Sequence, residues 1–313
     1  FPEEDIDRIL TPAKDGIRGD AANLYNLEKL QELSVLTFPF EQLDVALGRR
    51  IIPEKAFDKL VTRGRGGYCF ENNTLMQQVL KTIGFNVRAV PARVIIDENS
   101  IGGKTHLVSI VTFDEGTNDE KAEYLVDIGF GATTPHKPIN INCIDVPTEN
   151  HPDVFRLVQD KQATYLAPGG LILQYFDPKP SCFRNGYVFH PTQPVLKSDV
   201  ISNNFYVSQF LGESNWFTQT RLIVLHGKDG RAMLHNDSLR VIRRKSPVRV
   251  DGDKLEVPYW TCDTDKVIET DEDYFDTLSE LFHTDLSWDN ESDKRQVITM
   301  KSFTSRVLES RYK

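Results

Sequence analysis

Cysteine is scarce in this sequence: four residues among 313, at positions 69, 143, 182 and 262. They form no C-x-x-C pair and none has a histidine at zinc-finger spacing, so neither a disulfide scaffold nor a structural metal site is expected. Long apolar runs are missing too. None approaches the roughly 18 residues of a membrane-spanning helix, and stretches such as Leu107 to Phe113 have the length of buried strands. The opening Phe1-Pro2-Glu3-Glu4-Asp5 is acidic, where a signal peptide would carry a basic segment followed by an apolar one. Reduced thiols and a cytoplasmic location are the expectation. Positive charge is also in deficit: 37 Lys and Arg face 46 Asp and Glu, a formal net charge of −9. That balance argues against sequence-independent nucleic-acid binding. There is no internal repeat and no low-complexity tract.

What remains is an ordinary globular composition, 39% hydrophobic and 27% charged, long enough for two or three units with a substantial core. The first third reads as helical. Asp20 is placed to cap a segment in which Leu24, Leu27, Leu30 and Leu33 recur at three-residue steps. After Arg63-Gly64-Arg65-Gly66-Gly67 a second helix is expected from about Phe70 to Ile83, with Gly84 at its C-cap. From about residue 86 short β-branched and aromatic segments take over, at 88–96, 106–113, 123–130, 155–159 and 171–176. Such a meander suggests a small barrel or sandwich. A further unit follows the proline-rich stretch Pro178 to Pro194, with strands at 220–225 and 231–234 joined through His226-Gly227-Lys228-Asp229-Gly230. Residues 271–282 read as an amphipathic helix with Phe275, Leu278, Leu281 and Phe282 inward. The boundaries are drawn at 1–85, 86–195 and 196–313.

Chemistry concentrates in three segments. Cys69 stands where a glycine-rich turn enters a helix, and helix N-terminal amides favour a thiolate there. The alternative for a lone thiol is a buried, inert cysteine. Thr105-His106-Leu107 opens one strand and Val126-Asp127-Ile128-Gly129-Phe130-Gly131 ends the next. Antiparallel pairing through a hairpin spanning residues 114–122 would set His106 beside Asp127. An imidazole with an acceptor on one nitrogen can present the other to a thiol in a fixed tautomer.

In this order the segments resemble the arylamine N-acetyltransferase family, whose R-G-G-x-C-F-E, T-H-L and V-D-x-G-F-G elements are matched by Arg65 to Glu71, Thr105 to Leu107 and Val126 to Gly131. An upstream P-F-E-N-L-D element is matched by Pro39 to Asp44, with Gln42 in place of Asn. Asn204-Phe205-Tyr206, Ser214 to Thr218 and Asp229-Gly230-Arg231 resemble the family's third domain. The resemblance implies an α+β fold with a cysteine-protease-like core: a helical bundle carrying the cysteine, a β-barrel carrying histidine and aspartate, and an α/β lid. It implies a xenobiotic-metabolising acyltransferase with a Cys69, His106, Asp127 triad that works by ping-pong. The donor would be a CoA thioester, acetyl-CoA or, as in some fungal members, malonyl-CoA; the acceptor would be a small arylamine, arylhydrazine or related amine. No permanently bound cofactor, metal, nucleic acid or membrane partner is implied. It further implies CoA contacts at Gly102, Gly103, Ser214 and Trp216, an acceptor pocket lined by Phe40 and Phe130, and a brace between Glu41 and Arg65. Ala132 stands where several animal members carry Arg, so acceptor preference does not carry over from them.

Because CoA is a polyanion and the chain is acidic, a local basic patch is expected. Arg240, Arg243, Arg244, Lys245 and Arg249 form the densest one, with a solvated strand end as the alternative. Two other functional readings stand beside the transferase. A papain- or transglutaminase-like enzyme would share the Cys, His, Asp order without needing CoA. A catalytically dead binding module would keep the scaffold alone, although here all three triad residues are present.

Overall fold

A computed structural model describes residues 22–97, 100–113, 122–160, 169–211, 215–249, 256–284 and 286. Its first helix, α1, runs Leu24–Thr37, and its N-cap is Asn23, whose side chain accepts from the Asn26 N–H at 2.9 Å. This corrects the placing of the cap at Asp20, which lies outside the described residues: an Asn immediately before the first helical turn reaches the free amides directly. The helix stops at Phe38, the residue before Pro39, which proline biases toward extended backbone. Its buried face includes Leu27, Leu30 and Val35 together with the polar Asn26 and Gln31.

Helix α2, Cys69–Ile83, begins at the candidate nucleophile and ends at Gly84, whose φ of 104° provides the left-handed cap. Leu75, Met76, Val79 and Leu80 pack it against α1 and against strand residues Val111 and Val126.

Strands β2 (Asn86–Asp97), β3 (Ser100–Ile101), β4 (His106–Phe113), β5 (Ala122–Val126), β6 (Ile139–Asn140), β7 (Thr148–Asn150), β8 (Asp153–Gln159), β9 (Leu171–Asp177) and β10 (Cys182–Phe189) follow. They curl into one sheet ordered β6-β5-β4-β2-β10-β9-β8-β7, with β3 paired to β2. Strand β4 is apolar almost throughout because both its faces are covered. Val108 and Ile110 enter the core of the curled sheet, whereas Val111 turns to the helices. His106 shares the parity of Val108 and Ile110, so strand alternation directs it to the inner side.

Strand β10 was not anticipated. The prolines at 178, 180, 191 and 194 punctuate its two ends, and Arg184-Asn185-Gly186 interrupts its apolar alternation. The interruption coincides with a register shift between Asn185 and Tyr187. Beyond it, Tyr187 and Phe189 are fully buried.

Helix α3, Lys197–Gln209, leads to a second sheet of β11 (Leu222–Gly227), β12 (Gly230–His235), β13 (Ser238–Arg249) and β14 (Glu256–Val267). The two-residue strand β1, Phe40–Glu41, completes its edge by pairing with β11. The first third of the chain therefore contributes directly to the last sheet. The helix expected over 271–282 is α4, Asp271–Asp276, continued by a wider turn at Thr277–Leu281. Tyr274, Leu278 and Phe282 are its most buried residues, while Phe275 and Leu281 are partly buried against the same core. Among the described residues no helix is long and apolar enough to cross a membrane.

At Gly84 an added Cβ meets nothing within 4 Å, so substitution there isolates backbone conformation from packing. Gly84→Ala should cost about 1–2 kcal/mol in urea unfolding through left-handed strain. An unchanged unfolding midpoint would show that the cap relaxes.

Candidate active site

Cys69 is the first residue of α2 and is 3% exposed. Its thiol lies 3.6 Å from the Thr105 carbonyl oxygen, at the mouth of β4. The amides of Glu71 and Asn72 donate to the Tyr68 carbonyl, so the helix start that carries Cys69 is closed on its N-cap residue.

His106, at the start of β4, directs Nε2 to Asp127 Oδ2 at 2.7 Å. That leaves Nδ1 as the ring nitrogen that can face the Cys69 thiol, which lies in the same cavity wall. Antiparallel pairing of β4 with β5, with Ser109 opposite Val126, brings the two residues together; the intervening turn lies outside the described residues. Asp127 is fully buried. Its other oxygen accepts from Asn73 Nδ2 at 2.8 Å and from the Gly129 N–H at 2.9 Å. Burial pushes this carboxyl up, but His106 and these donors outweigh it and hold it below its usual range. Burial likewise opposes the imidazolium of His106, yet Asp127 and the Cys69 thiol raise it to about 10.

Asn73 went unassigned in the sequence although it lies four residues beyond the cysteine. It faces the same side of α2 as Cys69 and joins three segments. Its Nδ2 also donates to the Leu107 carbonyl at 2.7 Å, and its Oδ1 accepts from the Ile128 N–H at 2.9 Å. Tyr187, on the unanticipated strand β10, was equally invisible. Its ring lies 4.8 Å from that of His106 and 4.8 Å from that of Phe130.

The turn before Cys69 is braced by buried charge. Arg65 Nη2 meets Glu41 Oε1 at 2.8 Å, the pair implied by the resemblance. Lys59 was missed because nothing in its local sequence marks it as buried. Its Nζ lies 3.3 Å from Glu41, 2.9 Å from Asp44 and 3.0 Å from Glu71. Glu71 in turn accepts from the Tyr68 N–H at 3.2 Å, one residue before Cys69. Burial pushes the Glu71 carboxyl up to about 7 against the pull of Lys59. The Tyr68 hydroxyl donates to Asn204 of α3, tying the turn to the last third of the chain.

A cavity of about 500 Å³ opens over this arrangement. Cys69 and His106 lie in its wall together with Phe40, Phe130, Gly102, Gly103 and Trp216, so the cavity gathers all but two of the candidate triad, CoA-contact and acceptor-pocket residues. Asp127 stands behind His106, and Ser214 lies outside the described residues. The cavity does not gather the basic cluster. Arg243 pairs with Asp263 at 2.7 Å, Arg240 with Asp265 at 2.9 Å and Arg244 with Glu149 at 2.9 Å, and Lys245 is exposed. The expected cationic patch is therefore largely a ladder of ion pairs around β13, matched by acidic residues of β14 and of β7. Among the described residues no three His, Cys, Asp or Glu side chains gather as a metal site would require.

A family model described as N-acetyltransferase matches residues 23–289 of this chain, and the curated relatives it resembles are arylamine N-acetyltransferases. The chain belongs to the arylamine N-acetyltransferase family. The member from Mycobacterium tuberculosis is 39% identical over 153 residues, 46% of this chain and 53% of that protein. The Escherichia coli member is 36% identical over 146 residues, 45% and 48% respectively. The chain thus spans about half the length of these curated relatives it matches. Similarity of structure extends further. The Mycobacterium marinum arylamine N-acetyltransferase in complex with CoA is similar over 92% of this chain and 96% of that one, with a TM-score of 0.73 and 25% identity. The α+β, cysteine-protease-like fold is that of the family.

Two outcomes follow from the buried charges. The sign for His106 is set by its raised pKa: between 6.5 and about 10 the folded chain holds a proton that the unfolded chain has lost. The stability that His106 adds over His106→Gln should be complete below pH 6.5 and vanish as pH rises through about 10. Denaturation of both proteins across that range checks it, and a difference that is flat with pH would refute it. Lys59→Ala leaves three carboxylates around an empty centre and should cost about 3–5 kcal/mol. Lys59→Ala combined with Glu71→Gln should lose less than the sum of the two single changes in the same denaturation measurement.

Proposed function

We propose that this protein is an acyl-CoA-dependent arylamine N-acyltransferase that forms an S-acyl intermediate on Cys69. The observation that carries this reading is a helix-N-terminal thiol sharing one cavity with His106, whose other ring nitrogen is bound to the buried Asp127. Family membership and the CoA complex of the M. marinum relative support CoA as the leaving group. The donor is acetyl-CoA or malonyl-CoA, and the acceptor is an arylamine, an arylhydrazine or a related amine.

In the first half-reaction the Cys69 thiolate attacks the thioester carbonyl. Its oxyanion is met by the backbone amide of Cys69 at the start of α2. The tetrahedral adduct collapses by breaking the bond to the CoA sulfur, which takes the proton from His106 Nδ1. In the second, the amine nitrogen attacks the acyl-cysteine and gives its proton to Nδ1. The carbon–sulfur bond breaks, and the amide and the Cys69 thiolate are released. Asp127 keeps Nε2 protonated throughout, fixing the tautomer that both steps require. Gly129 belongs here for steric reasons: a Cβ at that position would lie 2.8 Å from the Cys69 Cα.

Within this proposal Gly102, Gly103, Ser214 and Trp216 hold the donor, and Phe40 and Phe130 hold the acceptor ring. The chain works as a helical unit, a barrel unit and a lid divided near residues 85 and 195.

Intact-protein mass measured after incubation with acetyl-CoA or malonyl-CoA should show one acyl adduct, and the added mass names the donor. Cys69→Ser should abolish both adduct and turnover, because an alcohol is a far weaker nucleophile than a thiolate at neutral pH. Replacing the exposed Cys143, Cys182 or Cys262 should leave both intact. Undiminished amine acylation by Cys69→Ser would end the mechanism.

A further inference from the structure

The last sheet reaches the cavity wall through a pair of buried histidines that the chemistry above does not use. His226, on β11, sets Nε2 2.8 Å from the Gly131 carbonyl oxygen. Its Nδ1 lies 3.1 Å from His136 Nε2. Both residues are buried, 5% and 3% exposed. Because a carbonyl only accepts, His226 must carry its proton on Nε2. Its Nδ1 is then an acceptor, and His136 must donate to it from Nε2. One carbonyl thus fixes the tautomers of two rings in series. Burial, reinforced for both by the Arg231 charge, holds His226 well below its ordinary pKa and His136 at about 4, so both rings are neutral at neutral pH.

The carbonyl at the end of this relay belongs to the segment that walls the cavity. Gly131 has φ 59°, a conformation that glycine tolerates and most side chains do not. Its oxygen also accepts from Thr134 Oγ1 at 2.9 Å, and that hydroxyl accepts from the Phe130 N–H at 2.8 Å. The Phe130 ring lies 5.2 Å from the His106 ring. A hydrogen bond from the last sheet therefore bears on the aromatic wall beside the candidate base, two bonded contacts away.

We propose that His226 is a positioning residue for the amine half-reaction. Held in one tautomer by His136, it anchors Gly131 and so sets Phe130 against His106 where the acceptor ring must lie. This rests on the acyl-transfer reading above and adds a role that reading does not contain. The donor half-reaction turns on Cys69, the start of α2 and the His106 ring, and the relay makes no hydrogen bond to any of these. Losing the anchor should therefore separate the two halves.

The test compares His226→Phe, which removes the donor, with His226→Gln, whose terminal amide restores an N–H near the position of Nε2. Acylation of Cys69 by acetyl-CoA alone is followed by intact mass, and discharge of the acyl-enzyme by aniline is followed separately. His226→Phe should acylate at the parent rate but discharge with a KM for aniline raised roughly five- to tenfold, the equivalent of one hydrogen bond. His226→Gln should stay close to the parent in both. The idea is overturned if discharge by His226→Phe is unchanged, or if both variants lose both half-reactions in step with their melting temperatures. A readout free of turnover stands beside these. Amide hydrogen exchange across residues 129–134 should quicken in His226→Phe and remain parent-like in His226→Gln; equal protection in all three proteins overturns the anchor. If the parent forms no acyl adduct, the proposed function fails while exchange still decides the relay.

Discussion

One buried carboxylate organises the centre of this protein. Asp127 is withdrawn from water, and an ionised carboxylate in that position is tolerable only if its oxygens are met by donors. The donors come from three places: His106 at the start of β4, Asn73 on α2, and the Gly129 amide in its own turn. Satisfying a single side chain therefore fixes the helix that carries the cysteine, the strand that carries the histidine, and the turn that closes over both. Asn73 adds to this by bonding Leu107 and Ile128 as well. The catalytic geometry proposed for the site and the hydrogen-bond needs of the core are met by the same atoms.

Beneath Cys69 lies a second buried network with a different logic. Lys59 is shared by Glu41, Asp44 and Glu71, and Arg65 contributes a second cation to Glu41. Arg49 adds a third cation at Asp44, 3.1 Å away, so three carboxylates face three cations. Even so, burial pushes the Glu71 carboxyl up to about 7. Glu71 is also the residue that accepts from the Tyr68 amide just before Cys69. The most weakly ionised member of the network is thus the one that touches the turn at which the thiol is presented. Ionic bracing of this kind contributes less to net stability than to holding one backbone geometry among several.

Much of this was legible in the sequence because it is encoded locally. Cys69 after a glycine run, Gly84 at a helix end and the near-continuous apolar β4 are read from neighbours a few residues apart. The approach of His106 to Asp127 followed from strand pairing alone. The parts that escaped depend on distant partners. Lys59 looks like any surface lysine until Glu41 and Glu71 are brought to it from 18 and 12 residues away. Tyr187 sits in a strand whose bulge breaks the alternation that would have revealed it. The arginines of β13 read as a free patch because their acidic partners arrive from β14, across the sheet, and from β7 of the other sheet.

Three histidines near the cavity show how completely surroundings decide the behaviour of one side-chain type. All are buried, and burial alone disfavours the charged ring in each. His106 has a full carboxylate on one nitrogen and is driven up to about 10. His136 and His226 have each other, a backbone carbonyl and a nearby arginine, and both are driven down. The first ring suits proton transfer because its charge is matched at a fixed site. The other two suit positioning because neutrality gives each ring one donor and one acceptor, and therefore a direction. That direction runs from His136 through His226 to Gly131, and it ends on the wall that faces the charged ring.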